Sequence, residues 1–186
     1  PLNRPEVDPQ KRRVVRGHAI IQPRVGTLPS SSRRTRFASM LTGPSGIDPY
    51  TTAVSDTYQD LFSEGSFVGK GIYHVDAFQA ALDGRVPEQQ MLSHDLFEGI
   101  FARCALATDI EVLDQQPASY AVQAARQHRW LRGDWQLLPW LLPNVPSRNG
   151  RQKNDLRAID LWKIADNLRR SLLAPAVVAL AAFSWV

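Results

Sequence analysis

The spacing of apolar residues along the chain predicts a mixed α/β fold. In four segments apolar residues recur every three to four positions, which is the pattern of a helix with one buried face. The four predicted helices cover residues 48–62, 76–82, 95–106 and 119–135. The first begins at Asp48-Pro49, an N-cap acid followed by a proline at the first helical position.

Short apolar runs predict strands between these helices. Residues 18–22 form one such run, which we expect to end at Pro23 because proline donates no hydrogen bond to a neighbouring strand. Residues 109–113 alternate between polar and apolar side chains, and residues 65–73 are punctuated by glycines, which predicts a strand with tight turns. Irregular structure is expected in two segments rich in proline, charged or small polar residues, 1–17 and 26–46.

The carboxy-terminal segment has the composition of a membrane-associated helix. Residues 171–186 carry no charge, but a membrane span needs about 20 residues, so we expect the start of a transmembrane helix that is cut short. Residues 156–170 precede it with an apolar stripe, Trp162 and several bases, which suits a helix at a membrane interface. Arg169 and Arg170 favour a cytoplasmic near side. A buried carboxy-terminal helix is the alternative.

Charge is distributed unevenly along the chain, although the formal net charge is only +4. Basic residues predominate in residues 1–36 and 121–186, and acidic residues predominate in residues 37–120. This distribution argues against a plain nucleic-acid binder, whose basic residues usually form one continuous footprint. The single cysteine, Cys104, excludes an internal disulfide. The histidines show no metal-ligand spacing.

A carboxylate at a predicted helix start is the first candidate for chemistry. Asp95 follows His94 at the mouth of the third predicted helix, where the helix dipole stabilises an anion. The simpler interpretation is that Asp95 is an N-cap and Glu98 its capping-box partner. A glycosidase pair of Asp95 and Glu98 is disfavoured, because both would project from one helix face whereas that chemistry needs carboxylates flanking the scissile bond.

A cluster of arginines and tryptophans is the second candidate, and it lies in residues 126–135. Arginine offers forked donors for pyrophosphate oxygens, and indole faces stack on sugar rings. Arg126, Arg129 and Trp130 share one side of the predicted helix. This favours a ligand surface over the alternative, a buried Trp130 beside solvated arginines.

The third candidate is the glycine-rich stretch at residues 65–71. It lacks the spacing of the P-loop and of the dinucleotide fingerprint. By itself it predicts only a sharp turn or a close approach of the backbone to another group.

Taken in chain order, these three features resemble the second half of the catalytic domain of inverting, processive family 2-type glycosyltransferases. That half has a glycine loop on the acceptor side, an aspartate motif at a helix start, and Gln-x-x-Arg-Trp before an interface helix and a membrane span. The closer resemblance is to the cyclic β-1,2-glucan synthases and covers the whole chain. Their sequences are similar to the stretches EGSFVGKGIYHVDAF, LSHDLFEGIFAR and ARQHRWLRGDWQLLPW of this chain.

The chain departs from the pattern of these enzymes at two positions. His94 stands where the family has an acid before the catalytic aspartate. Arg126 stands where the family has the Gln of Gln-x-x-Arg-Trp, with Gln127 next to it. In addition, the Asp-x-Asp motif that holds metal and nucleotide in this family does not occur in residues 1–186.

The resemblance implies an α/β fold in which residues 1–155 are the acceptor-side half of a GT-A-like domain. Residues 156–170 would be an amphipathic interface helix, and residues 171–186 the start of a transmembrane helix. The whole enzyme would lie in a bacterial inner membrane, with its catalytic part on the cytoplasmic side. It would transfer glucose with inversion from UDP-glucose to a growing glucan chain and would contact membrane lipid but no nucleic acid. A divalent metal, Mg²⁺ or Mn²⁺, would be held by ligands upstream of this chain, so we expect residues 1–186 alone to be inactive.

The resemblance also implies roles for individual residues. Asp95 matches the general base, Arg129 a pyrophosphate contact and Trp130 a platform for the acceptor sugar. The other candidates for substrate binding are Arg126, Gln127, Gly69, Lys70 and Gly71. A noncatalytic membrane-peripheral binding module is the alternative, and a nucleic-acid binder is a weaker one.

Overall fold

A computed structural model describes residues 3–41, 56–87, 90–91 and 94–185. The helices in this part of the chain are α1 (Pro29–Ser32), α2 (Arg36–Leu41), α3 (Thr57–Phe62), α4 (Val75–Leu82), α5 (Asp95–Ala102), α6 (Tyr120–Gln136) and α7 (Ala158–Phe183), with a 3-10 turn at Leu138–Leu141. The strands are β1 (Glu6–Asp8), β2 (Arg13–Arg16), β3 (Ile20–Thr27), β4 (Ile72–Tyr73), β5 (Cys104–Asp114), β6 (Asn144–Ser147) and β7 (Gly150–Lys153). The predicted mixed α/β class is confirmed.

The largest sheet has three strands in the order β4–β3–β5. Strand β3 is antiparallel to β4 and parallel to β5. The predicted end of this strand at Pro23 is wrong, because β3 continues to Thr27. Strand β4 pairs only with Ile20 and Ile21, and the register between β3 and β5 shifts between Pro23 and Arg24. Pro23 therefore falls at an irregularity in the pairing, where proline is tolerated.

Helix α5 lies in the hydrophobic core. Its large buried side chains are Leu96, Phe97, Ile100 and Phe101. The ring of Phe97 lies 4.9 Å from that of Phe101 and 5.2 Å from that of Trp140, between ring centroids. Burying each such side chain stabilises the fold by about 1.5–3 kcal/mol. Packing therefore fixes where α5, and the residue at its start, can lie.

The amino-terminal residues form a hairpin, so the predicted irregular structure of residues 1–17 is wrong. Strands β1 and β2 pair antiparallel. The buried guanidinium of Arg85 donates hydrogen bonds to the carbonyl oxygens of Lys11 and Arg12. Arg85 also lies over the ring of Phe101, 3.6 Å from its centroid. The basic run at residues 11–13 is thus held against the core through its backbone.

Helix α5 ends at Ala102, and the predicted helix over residues 95–106 is too long. Arg103 has a φ of 56°, which takes the chain out of the helix. Its guanidinium donates to the carbonyl oxygens of Val15 at 3.0 Å and Ser63 at 3.1 Å. Strand β5 therefore begins at Cys104, well before the predicted start of this strand.

The remaining predictions of secondary structure have mixed outcomes. A continuous helix over residues 48–62 is wrong, because Asp56 has extended backbone and caps α3 by accepting from the Gln59 amide. Residues 48–55 and 42–46 lie outside the described residues. Short helices α1 and α2 occupy part of the predicted loop over 26–46. The helices predicted at 76–82 and 119–135 are confirmed as α4 and α6.

Helix α7 is continuous from Ala158 to Phe183 and contains Pro175. The stripe predicted for a membrane interface packs against the protein instead, because Ile164 and Leu168 are buried in the core. Beyond this docked half the apolar side chains are exposed, namely Leu172, Leu173, Val177, Val178, Leu180 and Phe183. Within the described residues no helix has the length and apolarity that a membrane span requires.

Buried charges attach α7 to the rest of the fold. Asp160 is completely buried and pairs with Arg13 at 2.8 Å and with Arg157 at 2.6 Å. Arg157 also pairs with buried Glu64, whose Oε1 lies 3.7 Å from Lys163 Nζ. Burial alone would raise the pKa of Asp160, but hydrogen bonds from Arg157 and the charges of Arg13 and Arg157 lower it. Removing one member would leave buried charges uncompensated.

We expect Asp160→Asn to lower the free energy of unfolding by about 3–5 kcal/mol at neutral pH, because buried Arg13 loses its charge partner and Arg157 retains only Glu64. Chemical denaturation measures this loss. Because the pKa is lowered on folding, the contribution of Asp160 is present above its ordinary value of 3.8 and is lost as the pH falls through the folded-state value. The difference between the two proteins should therefore shrink in acid.

Glu6→Gln is the matched control for Asp160→Asn, because Glu6 forms an exposed pair with Arg16 at 3.4 Å. Such surface pairs contribute about 0–1 kcal/mol. Equal losses in the two variants would contradict a structural role for the buried charges.

Candidate active site

Asp95 is the first residue of α5, as the sequence predicts. His94 precedes it as the N-cap, with extended backbone. Burial raises the pKa of the Asp95 carboxyl, and the charges of His94 and Lys70 oppose this shift. The pKa of Glu98 is also raised, first by burial and then by the charge of Asp95. The start of α5 therefore holds two half-buried carboxyls that accept protons more readily than they would in water.

The glycine loop, residues 65–71, lies directly against the carboxylate of Asp95. Gly69 has a φ of 82°, and a Cβ at this position would lie 2.6 Å from Oδ2 of Asp95. One helical turn further on, a Cβ at Gly99 would lie 2.9 Å from Cβ of Phe67. The close approach predicted from the glycines is confirmed, and the group approached is the candidate base.

Buried Gln22 holds the glycine loop on the sheet. Its Nε2 donates to the carbonyl oxygen of Ser66 at 2.5 Å, and its Oε1 accepts from the amide of Val68 at 3.0 Å. A Cβ at Gly71 would lie 2.6 Å from the carbonyl oxygen of Ile21, so this end of the loop also touches β3. The predicted strand over 65–73 is limited to Ile72–Tyr73, because most of the segment follows Gln22 and α5 instead.

Lys70 connects the glycine loop to the carboxyl end of β5. Its Nζ lies 2.7 Å from Oδ2 of Asp114, the last residue of that strand. Burial would raise the pKa of Asp114, but the hydrogen bond and charge of Lys70, with the charge of Arg126, lower it. The guanidinium of Arg126 lies over the ring of Trp130, 4.7 Å from its centroid. Lys70 thus pairs with Asp114, and the charge of Arg126, which covers Trp130, acts on that same carboxylate.

Of the predicted site residues, the structure places Gly69 against Asp95, with Lys70 next in the chain. Lys70 pairs with Asp114, and the charge of Arg126, which covers Trp130, acts on the pKa of Asp114. Gln127 and Arg129 have exposed side chains on α6. In the described part of the chain no side-chain hydrogen bond or ion pair links either of them to Asp95, and their roles stay predictions.

Three residues that contact the candidate site were not predicted from the sequence, namely Gln22, Asp114 and Asp134. Gln22 is a single polar residue in an apolar run, which is a usable signal for a buried hydrogen-bonding side chain. Asp114 closes the alternating run of β5, and its cationic partners are distant in sequence. Oδ1 of Asp134 lies 3.2 Å from Nε2 of His94 and 3.3 Å from Nδ2 of Asn167. No local pattern identifies either pairing.

The described residues do not fit a divalent metal. Within residues 3–41, 56–87, 90–91 and 94–185, no group of three His, Cys, Asp or Glu side chains could hold such an ion. The charges that act on the pKa of Asp95 are those of His94 and Lys70, and the neighbouring carboxyl is that of Glu98. These residues offer a base and positive charge.

Comparison with known proteins gives a match over the whole chain. The cyclic β-(1,2)-glucan synthase NdvB of Rhizobium meliloti (strain 1021) is 50% identical over 186 residues, which is 100% of this chain and 6% of that protein. The resemblance to the cyclic β-1,2-glucan synthases is confirmed. No family model matches the chain.

The similarity to the synthase includes all three parts of the candidate site, because it leaves no part of this chain uncovered. All three parts of the candidate site therefore lie in the stretch of this chain that is similar to the synthase. These parts are the glycine loop, the start of α5 and the arginine-tryptophan face of α6. The chain spans only 6% of that relative's length.

We expect Gly69→Ala to destabilise the fold more than a glycine substitution that strains only the backbone. An alanine at 69 adopts a left-handed backbone, which costs about 1–2 kcal/mol, and its Cβ also displaces the Asp95 carboxylate. Gly84→Ala is the control, because Gly84 has a φ of 68° and its Cβ would meet nothing closer than 3.6 Å. Denaturant unfolding compares the two, and equal losses would mean that the glycine loop does not press on Asp95.

Proposed function

We propose that this chain is the acceptor-side part of a GT-A-like glycosyltransferase that builds a β-1,2-glucan from UDP-glucose with inversion. One observation supports this most directly, namely a half-buried carboxylate at a helix start, covered by a glycine loop and flanked by Lys70. The similarity to a cyclic β-(1,2)-glucan synthase supports the choice of reaction. A noncatalytic binding module is not favoured, because nothing in that similarity points to one.

Asp95 is the proposed general base. A sugar 2-hydroxyl is a weak nucleophile at neutral pH, so its proton must leave as its oxygen attacks the anomeric carbon. The proton passes to Asp95, the new carbon–oxygen bond forms on the face opposite UDP, and UDP leaves with the electron pair of the broken bond. A single displacement inverts the anomeric carbon and needs no second carboxylate as a nucleophile. Burial, which raises the pKa of Asp95, favours this proton transfer.

The cations and the tryptophan of the site suit the rest of the substrate. Lys70 pairs with Asp114, the charge of Arg126 acts on the same carboxylate, and the two cations offer positive charge to the diphosphate of the donor. Arg129 is the further proposed diphosphate contact, and its exposed side chain is available for one. Trp130 is 42% exposed, with one face covered by Arg126, so an acceptor sugar would stack on the other face. The Mg²⁺ or Mn²⁺ expected for such an enzyme would be held by residues that this chain does not contain.

We expect Asp95→Asn in the full-length synthase to lower glucan synthesis by at least about two orders of magnitude, because an amide cannot accept the proton. UDP-glucose binding and membrane insertion should be unchanged, since Asp95 is the first residue of α5 and not its N-cap, and an amide has nearly the shape of the carboxylate. Incorporation of labelled glucose measures the rate. In the unmodified enzyme the rate should fall as the pH is lowered through the raised pKa of Asp95, because protonation removes the base.

Glu98→Gln is the matched control, because Glu98 lies in the same helix turn, is half-buried and also has a raised pKa. It should retain most of the rate. Near wild-type synthesis by Asp95→Asn would leave Asp95 with no role beyond the start of α5 and would overturn the proposed mechanism.

The second half of α7 is the proposed membrane contact, in a bacterial inner membrane with the catalytic part on the cytoplasmic side. Its apolar side chains are exposed, Phe183 by 81%, and Trp185, just beyond the end of the helix, is exposed by 92%. Arg169 and Arg170, also exposed, lie at the start of this apolar surface and suit anionic headgroups. Because the first half of α7 packs on the core, this surface would bring the catalytic part close to the bilayer.

We expect the double variant Val178→Gln/Phe183→Gln to weaken co-sedimentation with anionic liposomes at least about tenfold, since about 1.4 kcal/mol of lost apolar burial suffices. Ile72→Gln/Val75→Gln is the matched control, because those two side chains are equally apolar and exposed but lie at β4 and α4. Undiminished binding by the α7 variant, or an equal loss in the control, would count against this surface.

A further inference from the structure

The buried side chain of His94 does not cap the helix that it precedes. His94 is the N-cap residue of α5, and its carbonyl oxygen accepts from the amide of Glu98 at 3.0 Å. Its side chain makes no capping hydrogen bond, although capping is the usual use of a polar side chain at this position. The ring is directed to α6 instead, where Nε2 lies 3.2 Å from Oδ1 of Asp134.

The contact between His94 and Asp134 is closely packed. A Cβ at Gly133 would lie 3.2 Å from Cδ2 of the His94 ring, so a side chain at 133 would crowd it. A carboxylate only accepts hydrogen bonds, so Nε2 of His94 carries the proton and donates it to Asp134. The other ring nitrogen, Nδ1, is buried and has no hydrogen-bond partner among the described residues. Within that part of the chain, Asp134 alone fixes the orientation of the ring by a hydrogen bond.

We infer that Asp134 is a positioning residue for the proposed general base: through the ring of His94 it holds the start of α5, and with it Asp95, in place. This inference rests on the proposed function, because it concerns the same reaction. Asp134 lies on α6, four residues after Trp130, and it also accepts from Asn167 on α7. One carboxylate therefore joins the acceptor-binding helix and the membrane-proximal helix to the residue that precedes the base.

Electrostatics agree with this geometry. The charge of His94 acts on the pKa of both Asp95 and Glu98 and opposes the effect of burial on each. Displacing the ring would alter both the location and the proton affinity of the proposed base. A small displacement of a reacting group can cost about 10²-fold in rate.

The test is a double-mutant cycle between His94 and Asp134 in the full-length synthase in membranes. Asp134→Ala and His94→Ala should each lower kcat about tenfold or more, with KM for UDP-glucose changed less than about twofold. The double variant should be no slower than the slower single variant, because both changes remove the same contact. Asn167→Ala is the control: it removes the other hydrogen bond to Asp134, leaves His94 in place, and should stay within about twofold of wild type.

Conservative variants separate positioning from general destabilisation. Asp134→Asn still accepts from Nε2, and His94→Gln still donates to Asp134, so both should recover most of the rate. If Asp134→Ala does not accumulate in membranes, the comparison of His94→Gln with His94→Ala decides. Multiplicative losses in the cycle, or an Asp134→Asn rate as low as that of Asp134→Ala, would overturn the inference.

Asp95→Asn is assayed alongside the cycle. If Asp95→Asn is inactive while the losses at His94 and Asp134 multiply, only the positioning role of Asp134 fails. If Asp95→Asn retains its rate, the proposed function itself fails, whatever the result of the cycle.

Discussion

Burial of helix α5 is the constraint on which the candidate site depends. Its apolar side chains pack on both sides, against Trp140 and beneath the guanidinium of Arg85, so the helix cannot shift without opening the core. Its first residue, Asp95, must then lie at the edge of the core, half-buried and next to unpaired amides at the helix start. Burial opposes the charge of the carboxylate, while the helix dipole favours it. Gly69 lets the backbone of the glycine loop cover this carboxylate, because any side chain there would displace it.

Helix α7 depends on a different kind of interaction. Few of its residues join the apolar core, and its start is held by buried ion pairs that reach β2 through Arg13 and the segment before the glycine loop through Glu64. Such pairs contribute little net free energy compared with apolar packing, but losing one partner leaves a buried charge uncompensated. The exposed apolar half of α7 therefore extends from a start that is tied to two other segments of the chain.

The sequence patterns predicted correctly those elements whose structure depends on residues close together in the chain. Helices α4 and α6 follow from spacing and capping, and Asp95 at a helix start follows from the position of the helix. The errors occur where distant residues decide the local structure. Arg103 ends α5 by reaching backbone oxygens of Val15 and Ser63, and Arg85 orders the amino-terminal hairpin from far along the chain. Gln22, Asp114 and Asp134 were missed for the same reason, since each has its role only through partners on other elements.

The two departures from the pattern of processive glycosyltransferases become intelligible once their partners are known. His94 stands where these enzymes have an acid, beside the proposed base, and Asp134 supplies a carboxylate to that ring from α6. Arg126 stands where they have a neutral glutamine, and its charge acts on the carboxylate of Asp114. Each departure thus has a carboxylate partner on another element. A substitution that looks disruptive within the motif can therefore preserve the electrostatics of the site. The reason is that the charged partners of a residue are its neighbours in the folded structure, which can be distant in the sequence.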